Sequence, residues 1–184
     1  MLERTLVVLK PDAVERGLCG KIIDIFEEAG LKIVDARMFR PDADFISRHY
    51  PSTPKWLESL GNKSINNYKL QGLDIKRQMG TDDPTAVGKQ IKSWLVEYMS
   101  SGRVMAMTIQ GNHAIANVRK LVGGTIPMEA TPGTIRARFS IDSSELANAE
   151  ARSIKNLVHA SGNAEEARFE LELWFGKGAA DVEK

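Results

Sequence analysis

The residues Asn156-Leu157-Val158-His159-Ala160-Ser161 place one of only three histidines beside a serine, and Glu170 follows nine residues later. An imidazole titrates near neutral pH, so a ring held in position can act as a nucleophile or carry a proton. The carboxylate of Glu170 could orient that ring, as a third group does in catalytic triads. A single histidine after two apolar residues is more often a packing residue. The stretch alone therefore decides nothing.

Three cations stand beside breaks in the predicted backbone. Lys10 ends an apolar run, Arg119 lies near the end of a predicted helix, and Arg136 follows a Pro-Gly turn. Each has an ordinary alternative: a solvated lysine, a cation that suits a helix C-terminus, or an exposed arginine after a turn. The hydroxyl groups of Tyr50 and Thr125 could bind a ligand, or simply pack and cap.

Taken together, these side chains suit a nucleoside triphosphate. That ligand carries roughly four negative charges, partly offset by a divalent cation, and it needs fixed cations rather than apolar contacts. Lys10, Arg119 and Arg136 supply three positive charges, and His159 could then take a phosphoryl group directly. The glycine-rich Walker A and dinucleotide-binding motifs are absent from the sequence, so the phosphate site must be built from side chains.

Composition and charge limit the function classes. The chain has 184 residues with 42% hydrophobic and 27% charged content and a net charge of +1, which is typical of one soluble globular domain. We expect a single domain over residues 1–184, with no nucleic-acid or membrane partner, because both would favour a basic excess. No apolar run approaches the ~20 residues of a membrane span, and the single cysteine, Cys19, excludes a disulfide framework. A cytoplasmic location is the expectation.

Hydrophobic periodicity predicts strands interleaved with helices, arranged as a sheet with helices mostly on one face. Asn112 and Asn163 are expected to cap two of the helices, and residues 51–84 are expected to form an ordered elaboration. The predicted strands are 5–10, 32–39, 103–109 and 155–159, and the predicted helices are 20–29, 42–50, 86–99, 113–121, 143–152 and 164–174.

Eight segments then fall in one recognisable order over nearly the whole chain. They are Glu3-Arg4-Thr5 through Lys10-Pro11-Asp12, Val14-x-Arg16-Gly17-Leu18, the 37–50 region ending in His49-Tyr50, Ser101-Gly102-x-Val104-x-Ala106-Met107, Gly124-Thr125-x-Pro127, Pro132-Gly133-Thr134-Ile135-Arg136, Asn156-x-x-His159-x-Ser161, and Glu170-x-x-x-Trp174-Phe175. The set resembles the nucleoside diphosphate kinase family. It is too specific to arise by chance.

The resemblance implies an α+β, ferredoxin-like (βαββαβ) fold, with helices packed on an antiparallel four-stranded sheet. It implies a homo-oligomer, dimer-based and tetrameric or hexameric, whose substrates are ATP and other nucleoside di- and triphosphates. The implied reaction is Mg²⁺-dependent and ping-pong: His159 takes the γ-phosphate as phosphohistidine and passes it to a nucleoside diphosphate.

The resemblance also implies individual roles. Lys10 contacts the phosphates and the sugar hydroxyl, and Asn156 contacts the sugar. Ser161 and Glu170 orient the nucleophile. The remaining phosphate contacts come from Tyr50, Arg119, Thr125 and Arg136. Mg²⁺ would be carried by the nucleotide phosphates, with no protein side chain as a ligand.

The chain departs from the family pattern at several places. Ala13 stands where the family usually has the glycine of Lys-Pro-Asp-Gly, and Ala160 and Gly162 replace residues of His-Gly-Ser-Asp. Two insertions are expected, at about 51–85 and 140–152, and the second lengthens a loop that makes subunit contacts in this family.

The base site departs as well. Alignment without gaps puts Ile91 at the position of the aromatic ring that stacks on the base, with Leu95 as an apolar wall. Trp56 or Trp94 could replace the missing ring.

Two other functions compete with an active kinase. One is a catalytically weak relative that serves as an oligomeric interaction or regulatory protein. The other is a ferredoxin-like module that binds a small molecule. All the residues expected for phosphoryl transfer are present, which favours the enzyme over both alternatives.

Overall fold

The sheet is four-stranded and antiparallel throughout, in the order β2-β3-β1-β4. A computed structural model describes residues 2–182, and its strands are β1 Leu2–Leu9, β2 Lys32–Phe39, β3 Val104–Asn112 and β4 Val158–Ala160. β1 is therefore central and directly neighbours β4. This is the predicted ferredoxin-like α+β architecture.

The helices are α1 Pro11–Glu15, α2 Cys19–Glu28, α3 Ala43–His49, α4 Pro54–Leu70, α5 Ile75–Met79, α6 Pro84–Ser100, α7 Ala114–Val122, α8 Ile135–Phe139, α9 Ser144–Ala149 and α10 Ala164–Phe175, with a 3-10 turn at Pro127–Glu129. Of these, six correspond to the predicted helices, and four more, α1, α4, α5 and α8, were not predicted as helices. Asn163 caps α10 as predicted, because its side chain accepts from the Glu166 amide. The predicted cap at Asn112 is wrong. That residue pairs with Leu2 in the sheet, and α7 begins after His113, whose φ is 50°.

Helices cover both faces of the sheet, whereas the sequence predicted them mostly on one face. Val7 and Leu9 pack in a core cluster with residues of α2 and α7. Leu6 and Val8 pack in a second cluster with residues of α3, α6 and α10. Because β1 is apolar at consecutive positions, each of its faces requires a covering layer.

In the segment between α3 and β3, α4 and α6 form a helical hairpin. Its own small core contains Ile65, Tyr68 and Val87. α4 and α6 cross so closely that a Cβ on Gly61 would lie 1.8 Å from the Pro84 carbonyl oxygen, and one on Gly88 would lie 2.0 Å from that of Leu57. Only glycine permits this crossing.

The hairpin also contacts the second expected insertion. The Gln71 side chain donates to the Ser144 hydroxyl at 2.6 Å and accepts from the Asn148 amide at 3.1 Å. Both partners lie in α9, so the two segments brace one another. Within residues 2–182, no helix has the length and apolar character needed to cross a bilayer.

Candidate active site

A cleft of about 290 Å³ opens where β1 ends and β4 begins. It is lined by Lys10, Tyr50, Leu95, Arg119, Val122, Gly123, Gly124, Thr125, Arg136, Asn156, Val158, His159 and Ala160. The fold thus brings eight of the predicted site residues to one cleft. Ser161 and Glu170 lie behind His159, and Ile91 does not line the cleft.

A strained turn precedes the histidine. Leu157 has φ of 69°, and the Val158 amide donates to the Asn156 carbonyl at 2.7 Å, as in a γ-turn. This turn shortens the predicted strand 155–159 to Val158–Ala160. The turn is fixed by two bonds: the Leu157 amide donates to the Asp12 carboxylate at 3.2 Å, and the Leu157 carbonyl accepts from the Lys10 amide at 2.8 Å. Asn156 and His159 consequently both face the cleft.

The His159 ring is bound to a buried carboxylate. Its Nε2 lies 2.9 Å from each oxygen of Glu170, and the Ser161 hydroxyl donates to Oε2 of the same carboxylate at 2.6 Å. Burial raises the pKa of Glu170, but the charge and hydrogen bond of His159, with His49 and Ser161, bring that pKa below its usual value. Glu170 is therefore ionised.

The ionised carboxylate assigns the proton of the imidazole. A carboxylate only accepts hydrogen bonds, so Nε2 of His159 carries an N–H, and in the neutral ring Nδ1 keeps a free lone pair. With 18% of its side chain exposed, the ring lines the cleft.

Lys10 is buried, with only 5% of the residue exposed. Its ammonium donates to the Asn156 side-chain oxygen at 2.6 Å and lies 5.1 Å from the centre of the Tyr98 ring. Burial, followed by the charge of Arg136, lowers the pKa of Lys10 to about 7, and Asp12 acts in the opposite sense. The buried ammonium of Lys10 therefore has too little negative charge around it, which favours the binding of an anion.

Arg136 fixes the backbone around the cleft, a role that the sequence did not predict. Its guanidinium donates to four backbone carbonyls: Asn156 at 3.1 Å, Gly123 at 2.9 Å, Gly124 at 3.0 Å and Val158 at 2.6 Å. These bonds use four of the five N–H donors of an arginine. Arg136 still lines the cleft, so its charge faces the ligand while most of its donors fix the walls.

Arg119 and Thr125 are exposed at the cleft mouth. Arg119 makes no ion pair with any residue in 2–182, so its guanidinium can bind a ligand. The Thr125 carbonyl accepts from the side-chain amide of Asn156 at 2.9 Å, and Thr125 itself lines the cleft. Burial and then Arg119 lower the pKa of Arg136 to about 10.

The apolar side of the cleft differs from the alignment-based prediction. Leu95 and Tyr50 line it as expected, whereas Ile91 packs against the core of the helical hairpin. Trp94 packs against the same core. The Trp56 ring lies 6.4 Å from the Tyr50 ring with an interplanar angle of 31°. Trp56 is therefore in contact range of a ring that lines the cleft.

Sequence reasoning missed two side chains of the site. His49 packs edge to face on His159 with ring centroids 4.5 Å apart, and Trp174 donates its indole N–H to Nδ1 of His49 at 3.2 Å. Both residues belong to segments that carried the family resemblance. The sequence signal was present, but nothing in it placed these rings beside His159.

Comparison with known proteins agrees with this geometry. A sequence model described as nucleoside diphosphate kinase matches residues 3–56 and 84–179. The nucleoside diphosphate kinase of Pyrobaculum aerophilum is 51% identical over 174 residues, 95% of each chain. That of Methanococcus maripaludis is 34% identical over 176 residues, which is 96% of this chain and 100% of the relative.

Solved structures agree as well. A crystal structure of an NDP kinase from P. aerophilum matches with a TM-score of 0.95 at 48% identity, over 98% of this chain and 99% of that one. A transition-state mimic of the Borrelia burgdorferi enzyme, with bound vanadate and ADP, matches with a TM-score of 0.76 at 31% identity, over 100% and 92% of the two chains. From its sequence, its fold and the cleft beside His159, this chain belongs to the nucleoside diphosphate kinase family.

Proposed function

We propose that the chain transfers the terminal phosphate of a nucleoside triphosphate to a nucleoside diphosphate through phosphohistidine on Nδ1 of His159. The observation that carries this proposal is the pairing of Nε2 with Glu170, which leaves Nδ1 as the free nucleophile in a cleft rich in cations. The Nδ1 lone pair forms the N–P bond as the bond from Pγ to the bridging oxygen breaks. The diphosphate leaves with that electron pair.

The second half of the reaction reverses the first. A terminal oxygen of the acceptor diphosphate attacks phosphorus, the N–P bond breaks, and its electron pair returns to Nδ1. Glu170 stabilises the positive charge that develops on the imidazole, because its carboxylate already faces Nε2. No net proton transfer is required, and one cleft serves both substrates in turn.

Lys10, Arg119, Arg136 and the Thr125 hydroxyl bind the phosphates in this proposal, with Tyr50 beside them. Asn156 is held between Lys10 and the Thr125 carbonyl, so its amide is fixed for a sugar hydroxyl. Burial, followed by the charge of Glu170, raises the pKa of Tyr50, and its hydroxyl remains a neutral donor. Leu95 and Trp56 would border the base.

We propose that Mg²⁺ enters as part of the substrate, on the phosphates. Among residues 2–182, no aspartate or glutamate lines the cleft, so the donor set offers no carboxylate ligands of the kind that Mg²⁺ prefers. Mg²⁺ neutralises part of the phosphate charge, and the cleft side chains supply the remainder.

We further propose a single domain with insertions at 51–85 and 140–152, assembled as a homo-oligomer. Two apolar side chains of β2 support assembly at the sheet edge, because Val34 and Met38 are 41% and 48% exposed on a strand with an unpaired side. A cytoplasmic location is proposed on composition alone. Sedimentation velocity tests the assembly, and a monomer at micromolar concentration would contradict it.

Incubation with γ-labelled ATP and Mg²⁺ tests the reaction. We expect an acid-labile, base-stable label that His159→Ala abolishes and that added GDP removes. His113→Ala is the matched control, because His113 is exposed and lies outside the cleft. Stable ATP binding without any label on the protein would favour the regulatory alternative.

A further inference from the structure

His49 is a buried imidazole beside the nucleophile that the proposed reaction leaves without a role. It ends α3, is 2% exposed and does not line the cleft. Its ring packs edge to face on His159, with an interplanar angle of 84°, and its Nδ1 lies 3.9 Å from Oε1 of Glu170. The Glu170 carboxylate therefore has two imidazoles within reach.

Trp174 decides which nitrogen of the His49 ring carries the proton. Its indole N–H donates to Nδ1 of His49, and an indole N–H can only donate. Nδ1 of His49 consequently carries no proton, so the ring is neutral with its N–H on Nε2. Burial and then the charge of His159 lower the pKa of His49 to about 3, with Lys10 acting in the same sense and Glu170 against it.

Ring packing alone could be supplied by a phenylalanine, which would also avoid the cost of the buried Nε2, since that atom has no hydrogen-bond partner among the described residues. What the histidine adds is an acceptor, Nδ1, for the indole N–H of Trp174. A metal site does not explain the histidine. Ligand atoms of His49, His159 and Glu170 lie within 4.8 Å of one another, but Trp174 occupies Nδ1 of His49 and Glu170 occupies Nε2 of His159.

We propose that His49 is a positioning residue for phosphoryl transfer: Trp174 locks it as a neutral ring that holds His159 in place and leaves the charge of Glu170 to His159 alone. This inference rests on the proposed phosphohistidine mechanism. A proton on Nδ1 of His49 would turn that ring into a donor to Glu170. If Nε2 kept its own proton as well, the ring would also put a second positive charge beside the nucleophile.

Removing the hydrogen bond from Trp174 to His49 tests the proposal. In Trp174→Phe, the N–H of His49 can move from Nε2 to Nδ1, and the ring can then compete for Glu170. We expect single-turnover phosphorylation of His159 by MgATP to slow about tenfold at pH 8 and by more at pH 6. KM for ATP should stay within about twofold, because neither residue lines the cleft. Phe39→Leu is the matched control, since it loosens the ring packing on Trp174 but leaves the hydrogen bond.

The decisive experiment adds His49→Phe to Trp174→Phe. The double variant keeps a neutral ring beside His159 and has no second imidazole, so we expect the rate to recover to within about threefold of the unsubstituted protein. The extra loss at pH 6 should disappear as well. If Trp174 only packs, the second substitution adds to the damage. A double variant slower than Trp174→Phe, or a Trp174→Phe rate equal to the unsubstituted rate at both pH values, overturns the proposal.

A second comparison covers the case in which Trp174→Phe does not fold. His49→Ala removes the ring and should slow phosphorylation about tenfold, whereas His49→Phe keeps the ring and should be nearly as fast as the unsubstituted protein. Equal rates for the two overturn the positioning role alone. An unsubstituted protein that forms no phosphohistidine overturns the proposed function, and this inference with it.

Discussion

Nucleotide binding should make the protein take up a proton at alkaline pH, because Lys10 is buried beside Arg136. Burial and the neighbouring charge lower the pKa of Lys10 from 10.5 to about 7. Phosphate oxygens beside the ammonium favour its charged form, so the pKa in the complex returns toward the ordinary value. Binding and protonation are then coupled.

The size of the uptake follows from these values. At pH 8.5, a group with a pKa of about 7 is roughly 3% protonated, and one with its ordinary pKa is roughly 99% protonated. Uptake should thus approach about one proton per site. At pH 6 the free lysine is already roughly 90% protonated, so uptake should fall to about a tenth of a proton.

Calorimetric titration with MgADP, in pairs of buffers that differ in ionisation enthalpy, measures this uptake. ADP without a phosphoryl donor binds without turnover, and its phosphates are fully ionised at pH 8.5. Lys10→Met should abolish the pH-dependent uptake, whereas Lys120→Met, which lies outside the cleft, should leave it unchanged. Equal uptake at pH 6 and pH 8.5, or an undiminished uptake in Lys10→Met, would refute the assignment of the proton to this lysine.

The same shift predicts a stability effect with a definite sign. The folded-state pKa lies below the unfolded value, so the unfolded chain binds more protons between about pH 7 and 10.5, and stability rises with pH across that window. Below about pH 7, Lys10 is protonated in both the folded and the unfolded chain, so the full cost of burying its charge lowers the free energy of unfolding. The lowering of this pKa from 10.5 to about 7 corresponds to at most about 5 kcal/mol. Urea unfolding at pH 6 should therefore find Lys10→Met more stable than the unsubstituted protein, and a less stable variant would contradict this sign.

Three further substitutions test the remaining reasoning. Glu170→Gln keeps the shape of the side chain but replaces a charge-assisted hydrogen bond to His159 by a neutral one, a loss of about 1.5 kcal/mol. Phosphohistidine formation should therefore slow about tenfold in rapid-quench experiments. An unchanged rate would contradict the orienting role of Glu170. Gly88→Ala forces a Cβ onto the Leu57 carbonyl and should lower the free energy of unfolding, measured with urea, by about 3 kcal/mol. Gly20→Ala is the control and should not destabilise the protein, because a Cβ there would have nothing within 4 Å. Trp56→Leu should raise KM for nucleotides about tenfold at constant kcat if its ring borders the base; an unaltered KM would exclude Trp56 from the base site.

The elements were predictable where periodicity had a single reading. The run from Leu6 to Leu9 indicated a buried strand, and the spacing of Ile22 and Phe26 indicated α2. Asn112 was misassigned because a favourable cap residue is also compatible with a strand end, and pairing with Leu2 across the sheet decided between them. Such pairing depends on long-range register, which no local window contains.

The cleft was predictable as a set of charges but not as a geometry. A left-handed Leu157 has no sequence signal, because leucine rarely adopts positive φ and does so here only under contacts with Asp12 and Lys10. The position of Ile91 relative to the cleft was not predictable for a related reason. Alignment counts residues along α6, whereas packing of the inserted hairpin decides that Ile91 is directed into its core.

The electrostatics of the cleft connect these observations to substrate choice. Arg136 lowers the pKa of Lys10, and Arg119 lowers that of Arg136, so the cations destabilise one another in the unliganded protein. No carboxylate in residues 2–182 lines the cleft to relieve them. Phosphates supply the missing negative charge, and the binding free energy is concentrated on a group that every nucleotide shares. An enzyme that loads and discharges one histidine with different nucleotides needs that distribution, because strong contacts to one base would slow exchange with the others.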